Sequence, residues 1–341
     1  MKVSDRRRIG TTSLNVTRLG FGSAPIGGLY EPVDTDTAIT TVDAAWTNGV
    51  RLFDTAPLYG MGNAESRVGV ALRRRSRAEF VVATKVGRLL RETDLPDPSQ
   101  IRDGESSWKG VPPLNPVFDF SYDGALRSFE ESLERLGLDS VDILHIHDPD
   151  DEFDAAMKGA YRALVRLRDE GVVKAIGAGM NQWQMPLRFA EEGDFDCFLL
   201  AGRYSLLDCS ALERFLPFCH DRGISIIVGG VFNSGILADP HSRSPKYDYG
   251  RAAPDVIDRA RRIEAICSAH DVPLKAAAIQ FPCRHPAVSA VVVGSRSVDE
   301  ADENARMFEQ SIAIDVWLEL KNEGLLPEDA PVADDAQSEA S

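Results

Sequence analysis

Short runs of β-branched and apolar residues recur along the chain. Each is followed by a longer stretch whose apolar positions fall at the 3.6-residue helical period. Eight runs read as buried strands: residues 19–26, 51–56, 80–86, 141–148, 175–180, 197–204, 225–230 and 288–294. Helical patterns cover residues 35–46, 65–75, 122–136, 153–168, 185–192, 211–221 and 255–270, and two more, 298–308 and 312–322, follow the last strand. Gly171, Gly193 and Gly223 stand where a helix should stop and a strand begin.

Eight strands alternating with helices over about 300 residues favour a closed (β/α)8 TIM barrel over an open doubly wound sheet. An open sheet of that kind would carry a G-x-G-x-x-G turn after its first strand. The candidate, Gly20-Phe-Gly22-Ser-Ala-Pro25, has proline where the third glycine is needed. The turn-rich segment 8–18 is expected to form a hairpin that plugs the barrel bottom. Residues 87–119 and 231–253 are too long for plain connections. Both leave the C-terminal ends of strands, the face on which barrels place active sites. Trp108, Phe118, Phe232 and Tyr247 offer these loops apolar anchors, and the first loop is expected to wall a substrate pocket.

Composition narrows the function classes. The net charge of −15 repels phosphate backbones and anionic lipid, which argues against a nucleic-acid or membrane partner. Five of the acids lie in residues 325–341 with no base among them. That stretch reads as an acidic disordered tail beyond a single domain, residues 1–324. Five cysteines without a C-x-x-C fit reduced thiols in a cytoplasmic protein. The N-terminus lacks the apolar stretch of a secretory signal, and no apolar run is long enough to span a membrane. The sequence carries no signal of oligomeric state.

Four residues share one address at the strand ends. Asp54 ends the second strand, Tyr59 follows it in the next loop, Lys85 ends the third strand and His147 the fourth. A barrel brings a carboxylate, a phenol, an ammonium and an imidazole to one mouth. A phenol is a poor acid or base at pH 7, and a nearby ammonium is expected to lower its pKa. Asp54 would be the counter-ion of a buried Lys85. Singly, these residues read as well as an N-cap, a loop anchor, a surface charge and a satisfied strand-end histidine. Together they suit proton exchange with an alcohol or carbonyl beside a hydride-transferring cofactor, with no metal. His145 and His147 form H-x-H on one strand face, so a metal-dependent barrel hydrolase is a competing reading. His145 as inward barrel filling is the plainer one.

The sequence resembles the aldo-keto reductase family. The resemblance rests on Gly20-Phe-Gly22, on Phe53-Asp54-Thr-Ala-Pro-Leu-Tyr59-Gly60 with Glu65 and Gly69, and on Thr84-Lys85. It continues through Val141-Asp142-Ile-Leu-His-Ile-His147, Ala175-Ile-Gly177 with Asn181, and Val293-Gly294-Ser295-Arg296 with Glu303-Asn304. It implies a barrel, a nicotinamide cofactor lying over the mouth, and Asp54, Tyr59, Lys85 and His147 as the catalytic tetrad. The cofactor would be held by Gly22, Ser23, Asp54, Asn181, Gly229, Gly230, Phe232, Leu237, Gly294, Ser295, Arg296, Glu300, Glu303 and Asn304.

Three further strings, Ala178-Gly-Met-Asn181-Gln-Trp183, Ala201-Gly-Arg-Tyr204-Ser-Leu-Leu207 and Val228-Gly-Gly-Val-Phe-Asn233-Ser-Gly235-Ile-Leu237, are similar to the sugar-dehydrogenase branch of the family. That branch includes L-fucose, D-threo-aldose, L-galactose and pyridoxal 4-dehydrogenases. It implies oxidation of the hemiacetal of a free aldose (L-fucose, L-galactose or D-arabinose type) to a lactone. A pyridoxal dehydrogenase, a general aldehyde or ketone reductase and a cofactor-binding regulatory subunit stay open.

Departures from the family pattern also speak. Ala201 stands where many members carry a carboxamide-binding Gln. Gly229 and Gly230 occupy the stretch that supplies an aromatic stack. Gly294 and Glu300 replace the Lys and Arg that grip a 2′-phosphate, which points to NAD, while Arg296 keeps NADP open. Trp108, Phe118, Asp148 and Trp183 are the candidate substrate-pocket residues, and an acidic pocket would suit a polyol.

Overall fold

The computed structural model describes residues 1–92, 100–102 and 104–333. Eight parallel strands close into a barrel in sequence order: β1 (Leu19–Gly22), β2 (Leu52–Asp54), β3 (Val81–Val86), β4 (Ile143–His147), β5 (Ala175–Met180), β6 (Cys197–Ala201), β7 (Ser225–Gly229) and β8 (Val288–Gly294). The helices that surround it are α1 (Thr35–Thr47), α2 (Asn63–Leu72), α3 (Tyr122–Leu136), α4 (Tyr161–Asp169), α5 (Gln184–Glu192), α6 (Phe215–Asp221) and α7 (Pro254–Ala269). They continue with α8 (Leu274–Gln280), α9 (Val298–Glu309) and α10 (Ile314–Asn322). The expected (β/α)8 class is therefore what the chain adopts. Helix α4 is entered through a π turn at Ala156–Ala160, and α8 lies where the hydrophobic pattern gave no element.

Alternation along the strands builds two cores. Outward residues such as Val82, Leu144, Ile176 and Phe198 pack against the helices. Inward residues Leu52, Val81, Ala83, Ile143, Leu199, Ile227 and Val292 form a separate inner cluster. Side chains alternate with period two. The inward rows therefore continue as Leu52 to Asp54, Ala83 to Lys85, and Ile143 to His145 to His147. Each row starts apolar and turns polar at the C-terminal rim.

The N-terminal hairpin, Arg6–Arg8 against Asn15–Thr17, closes the other end as expected. Its Ile9, Leu14 and Val16 complete the inner cluster. Gly10 N donates to Ser225 Oγ at 2.8 Å, and the backbone oxygen of Arg8 accepts from Ser225 and Ser289.

Several motif residues do structural work. Glu65, fully buried, accepts from Thr84 Oγ1 and Arg135 Nε, both at 2.6 Å, tying α2 to β3 and α3. Asp142 accepts from Val82 N, Arg77 and Lys174. Gly60 holds a left-handed φ of 65°, and a Cβ there would lie 2.0 Å from Gly27 O. That close approach fixes the loop carrying Tyr59.

The expected disordered tail needs correcting over its first part. Leu325, Leu326, Ala330 and Val332 are buried. Arg259 Nη2 donates to Leu325 O at 2.6 Å, and Arg284 Nη1 donates to Val332 O. A few well-placed apolar side chains outweigh the polar average of the segment. Residues 334–341 lie outside the described ones. Among the described residues no helix is long and apolar enough to cross a membrane.

A chain ending at Gly324 should lose at least about 3 kcal/mol, the burial of two leucines. Urea unfolding of both lengths checks this, and coincident midpoints would refute the docking.

Candidate active site

The inward rows bring Asp54, Lys85 and His147 to the rim, and the β2 loop adds Tyr59. Lys85 Nζ donates to Asp54 Oδ1 at 2.8 Å, to Asp54 Oδ2 at 2.9 Å and to Thr55 O at 2.9 Å. Both charged groups are buried, which is stable only because each is paired. The ammonium lies 4.7 Å from the centroid of the Tyr59 ring. The His147 ring meets Tyr59 edge-on, with centroids 5.8 Å apart. The four expected tetrad residues thus form one cluster.

The electrostatics differ from expectation in one respect. The Tyr59 phenol is pushed well above its usual value, first by burial and then by the Asp54 and Asp148 carboxylates. Lys85 gives its three N–H groups to Asp54 and Thr55 and leaves none for the phenol oxygen. His147 is held well below the usual imidazole value by burial and by Arg88 and Lys85, so it is neutral.

Asp148 follows His147 at a left-handed φ of 42°. Its Oδ2 accepts from Arg88 Nη2 at 2.7 Å and lies 3.4 Å from His147 Nε2. Burial raises its pKa to about 6 against the pull of Arg88. Arg88, itself buried, is capped by the Phe118 ring at 4.8 Å.

A cavity of about 150 Å³ lies over the tetrad, lined by Tyr59, Lys85, His147, Asp148 and Asn181. Trp108 stacks on Tyr59 with centroids 6.0 Å apart and closes one side with Gln100 and Ser107. The long β3 loop thus forms the expected wall.

Two expected pocket residues fall elsewhere. Phe118 is 46% exposed and covers Arg88 from outside. Trp183 lines a separate cavity with Asp208 and Glu213. Both are loop aromatics whose direction the sequence pattern does not set.

Next to this cavity runs a groove with a floor of Gly22, Gly229, Gly230 and Gly294 beside Asp54 and Asn181. It extends to Phe232, Arg296, Glu300, Glu303 and Asn304. Ser23, Ser295 and Leu237 are buried beneath it, and Ser295 Oγ accepts from Asn304 Nδ2 at 3.0 Å. These three shape the groove rather than line it. Bare glycine floor, the Asn181 amide, and Arg296 with a buried, unpartnered Nε make a surface that fits an extended dinucleotide.

His145 does not join His147 in a ligand set. Its Nε2 lies 3.5 Å from Cys197 Sγ inside the barrel, and burial lowers its pKa to about 3. Sequence reading missed Tyr249, Tyr30, Lys275 and Arg88. All reach the site through tertiary packing, and none carries a local motif.

These features define a barrel oxidoreductase, and the comparisons agree. The aldo/keto reductase family model matches residues 18–322, so the chain belongs to the aldo/keto reductase family. It is an oxidoreductase of the aldehyde/alcohol type, in a family that uses nicotinamide dinucleotides.

Among named relatives, a pyridoxal 4-dehydrogenase of Microbacterium luteolum is 43% identical, covering 96% of this chain and 99% of its own. A D-threo-aldose 1-dehydrogenase of a Pseudomonas species is 42% identical, covering 92% of this chain and 96% of its own. An aldo-keto reductase of Bacillus halodurans, solved in its holo form, superposes with a TM-score of 0.74 at 24% identity, covering 97% of this chain and 99% of its own. That likeness speaks to the fold.

Burial lifts the Asp148 pKa to about 6, so acidification should add a proton to Asp148 and weaken its pairing with Arg88. The kcat/KM profile should fall below an inflection near pH 6. Asp148→Asn should lack that inflection; an unchanged acid limb would remove Asp148 from the site.

Proposed function

We propose that the chain oxidises the hemiacetal carbon of a free aldose, of the L-fucose, L-galactose or D-arabinose type, to a lactone with NAD. The observation that carries this reading is the Tyr59 phenol, set between the Lys85–Asp54 pair and a neutral His147 and facing a cavity lined by polar and apolar side chains in about equal measure. When bound, the nicotinamide supplies the hydride acceptor.

The remaining steps belong to this chain. His147 and Tyr59 orient the anomeric oxygen. In the oxidative direction the phenolate form of Tyr59 takes the proton from the anomeric oxygen as C1 gives up its hydride and the C1=O bond forms. Lys85 and Asp54 hold the ring in place. The raised pKa keeps Tyr59 protonated at rest, ready to donate in the reverse, carbonyl-reducing direction.

The polar wall of Gln100, Asp148 and Asn181 supports a hydroxylated substrate. A pyridoxal hemiacetal would present the same reacting group. The relative that is 43% identical and the Trp108–Tyr59 stack, which offers a face to a flat ring, favour it as the second reading. Five free thiols support the cytoplasm as the compartment.

The NAD preference is supported by how the cations at the far end of the groove are engaged. Arg296 N donates to Glu300 Oε2 at 2.7 Å, and its Nη1 lies 3.8 Å from Glu300 Oε1. Lys275 Nζ is paired to Glu303 Oε2 at 2.5 Å. A 2′-phosphate would meet two carboxylates there, whereas a ribose hydroxyl could donate to one.

The test is NADH formation at 340 nm with a panel of free aldoses and pyridoxal. Tyr59→Phe should lower kcat by at least about 100-fold with cofactor affinity kept. Failure of every hemiacetal to reduce NAD would overturn the reading.

The pH dependence has a sign. Below its raised pKa, the phenolate fraction of Tyr59 grows about tenfold per pH unit, so oxidation should accelerate from pH 7 to 9 while carbonyl reduction does not. Glu300→Gln with Glu303→Gln should raise NADP affinity relative to NAD by about tenfold or more, measured by binding. An unmoved ratio would refute the charge argument.

A further inference from the structure

The loop after β7 returns over the mouth as a two-stranded turn, Lys246–Tyr247 against Gly250–Arg251. Between them stand two consecutive non-glycine residues in the left-handed region, Asp248 at φ 49° and Tyr249 at φ 63°. Such a conformation persists only where the surroundings hold it. Here they do so from several strand ends. Asp248 Oδ1 accepts from Arg203 Nη2 at 2.9 Å, beyond β6. Tyr249 N donates to Ser234 Oγ at 2.9 Å, beyond β7. Tyr249 Oη donates to Asn181 Oδ1 at 3.2 Å, just past β5. On the other side, Lys246 Nζ lies 3.8 Å from the Tyr30 ring centroid, beyond β1. The turn therefore crosses the barrel mouth. Tyr249 lines both the tetrad cavity and the glycine-floored groove.

We propose that Tyr249 is a positioning residue: its hydroxyl fixes the side-chain amide of Asn181 so that this amide donates to a carboxamide oxygen of the bound dinucleotide. The inference rests on the reading that the groove holds a nicotinamide dinucleotide. A side-chain amide offers one acceptor oxygen and two N–H donors, and an isolated one can present either end. With Oδ1 engaged by a phenolic O–H, the acceptor end is committed, and Asn181 Nδ2 forms no hydrogen bond with another described residue. The donors are left for a ligand. Burial raises the Tyr249 pKa, so the phenol stays a donor across the working range. The floor opposite is Gly229 and Gly230, without side chains, and Tyr249 and the Asn181 amide are among the polar side chains that line this groove.

The experiment is a double-mutant cycle on NADH binding by the full chain, read by quenching of protein fluorescence. Tyr249→Phe keeps the ring and removes the hydroxyl, and should weaken binding about tenfold, the scale of one well-placed hydrogen bond. Asn181→Ala should weaken it at least as much. The double variant should be no weaker than Asn181→Ala alone, because the hydroxyl acts through the amide. Tyr247→Phe, in the same turn but outside cavity and groove, should bind as wild type. In turnover, Tyr249→Phe should raise the cofactor KM and leave kcat near wild type.

Losses that add in the double variant, or a Tyr249→Phe affinity within about twofold of wild type, would overturn the proposal while leaving the dinucleotide reading intact. A wild-type chain that binds no dinucleotide would overturn both. A general loss of folding would instead lower binding by Tyr247→Phe as well, and that outcome also counts against a specific role.

Discussion

A lysine and an aspartate removed from water at the top of a barrel set the terms for everything around them. Lys85 and Asp54 are 1% and 3% exposed. An ammonium has three donors, and all three are used within the chain, on both Asp54 oxygens and on Thr55 O. Leaving either partner alone in this place would cost roughly 3–5 kcal/mol, so the pair holds β2 and β3 in register at the rim. No N–H of Lys85 remains for the phenol oxygen, and the ammonium instead lies against the ring face. The room for the lysine stem comes from Gly179, where a Cβ would sit 3.2 Å from Lys85 Cε.

The same period-two alternation that fills the barrel also delivers the chemistry. Ala83 and Lys85, Leu52 and Asp54, and Ile143 and His147 belong to single inward rows, apolar below and polar at the rim. His145, one step down the same row as His147, stays in the apolar layer against Cys197. Depth within the row separates a buried neutral imidazole from one that faces a cavity.

This is why the strands and the tetrad are readable from sequence while much of the surrounding site is not. Strand rows and the string from Asp54 to Gly60 are local. Helix α8 escapes because seven alanine-rich residues after Pro273 show no clear period. Tyr249 and Arg88 sit in long connections whose direction is set by Arg203, Ser234 and Asp148, far away in sequence. Phe118 and Trp183 look like pocket aromatics by type, yet one caps Arg88 from outside and the other faces a different cavity. The segment from Leu325 to Val332 reads as solvated by average composition. Packing answers to individual side chains, and four of them find the core.

Charge pairing unifies the two ends of the site. The cations lining cavity and groove among the described residues are Lys85, Arg203, Lys275 and Arg296. Each has a carboxylate of the chain within 4 Å: Asp54, Asp248, Glu303 and Glu300 respectively. Arg88, behind the cavity wall, is paired to Asp148 in the same way. The surface offered to a ligand is therefore rich in hydrogen-bonding groups and poor in free positive charge. A phosphorylated sugar would have to break one of these pairs to find a counter-ion, whereas a neutral polyol or hemiacetal exchanges its water hydrogen bonds for those of the wall without disturbing them. The scarcity of free positive charge over the tetrad arises from this internal pairing rather than from the net charge of −15.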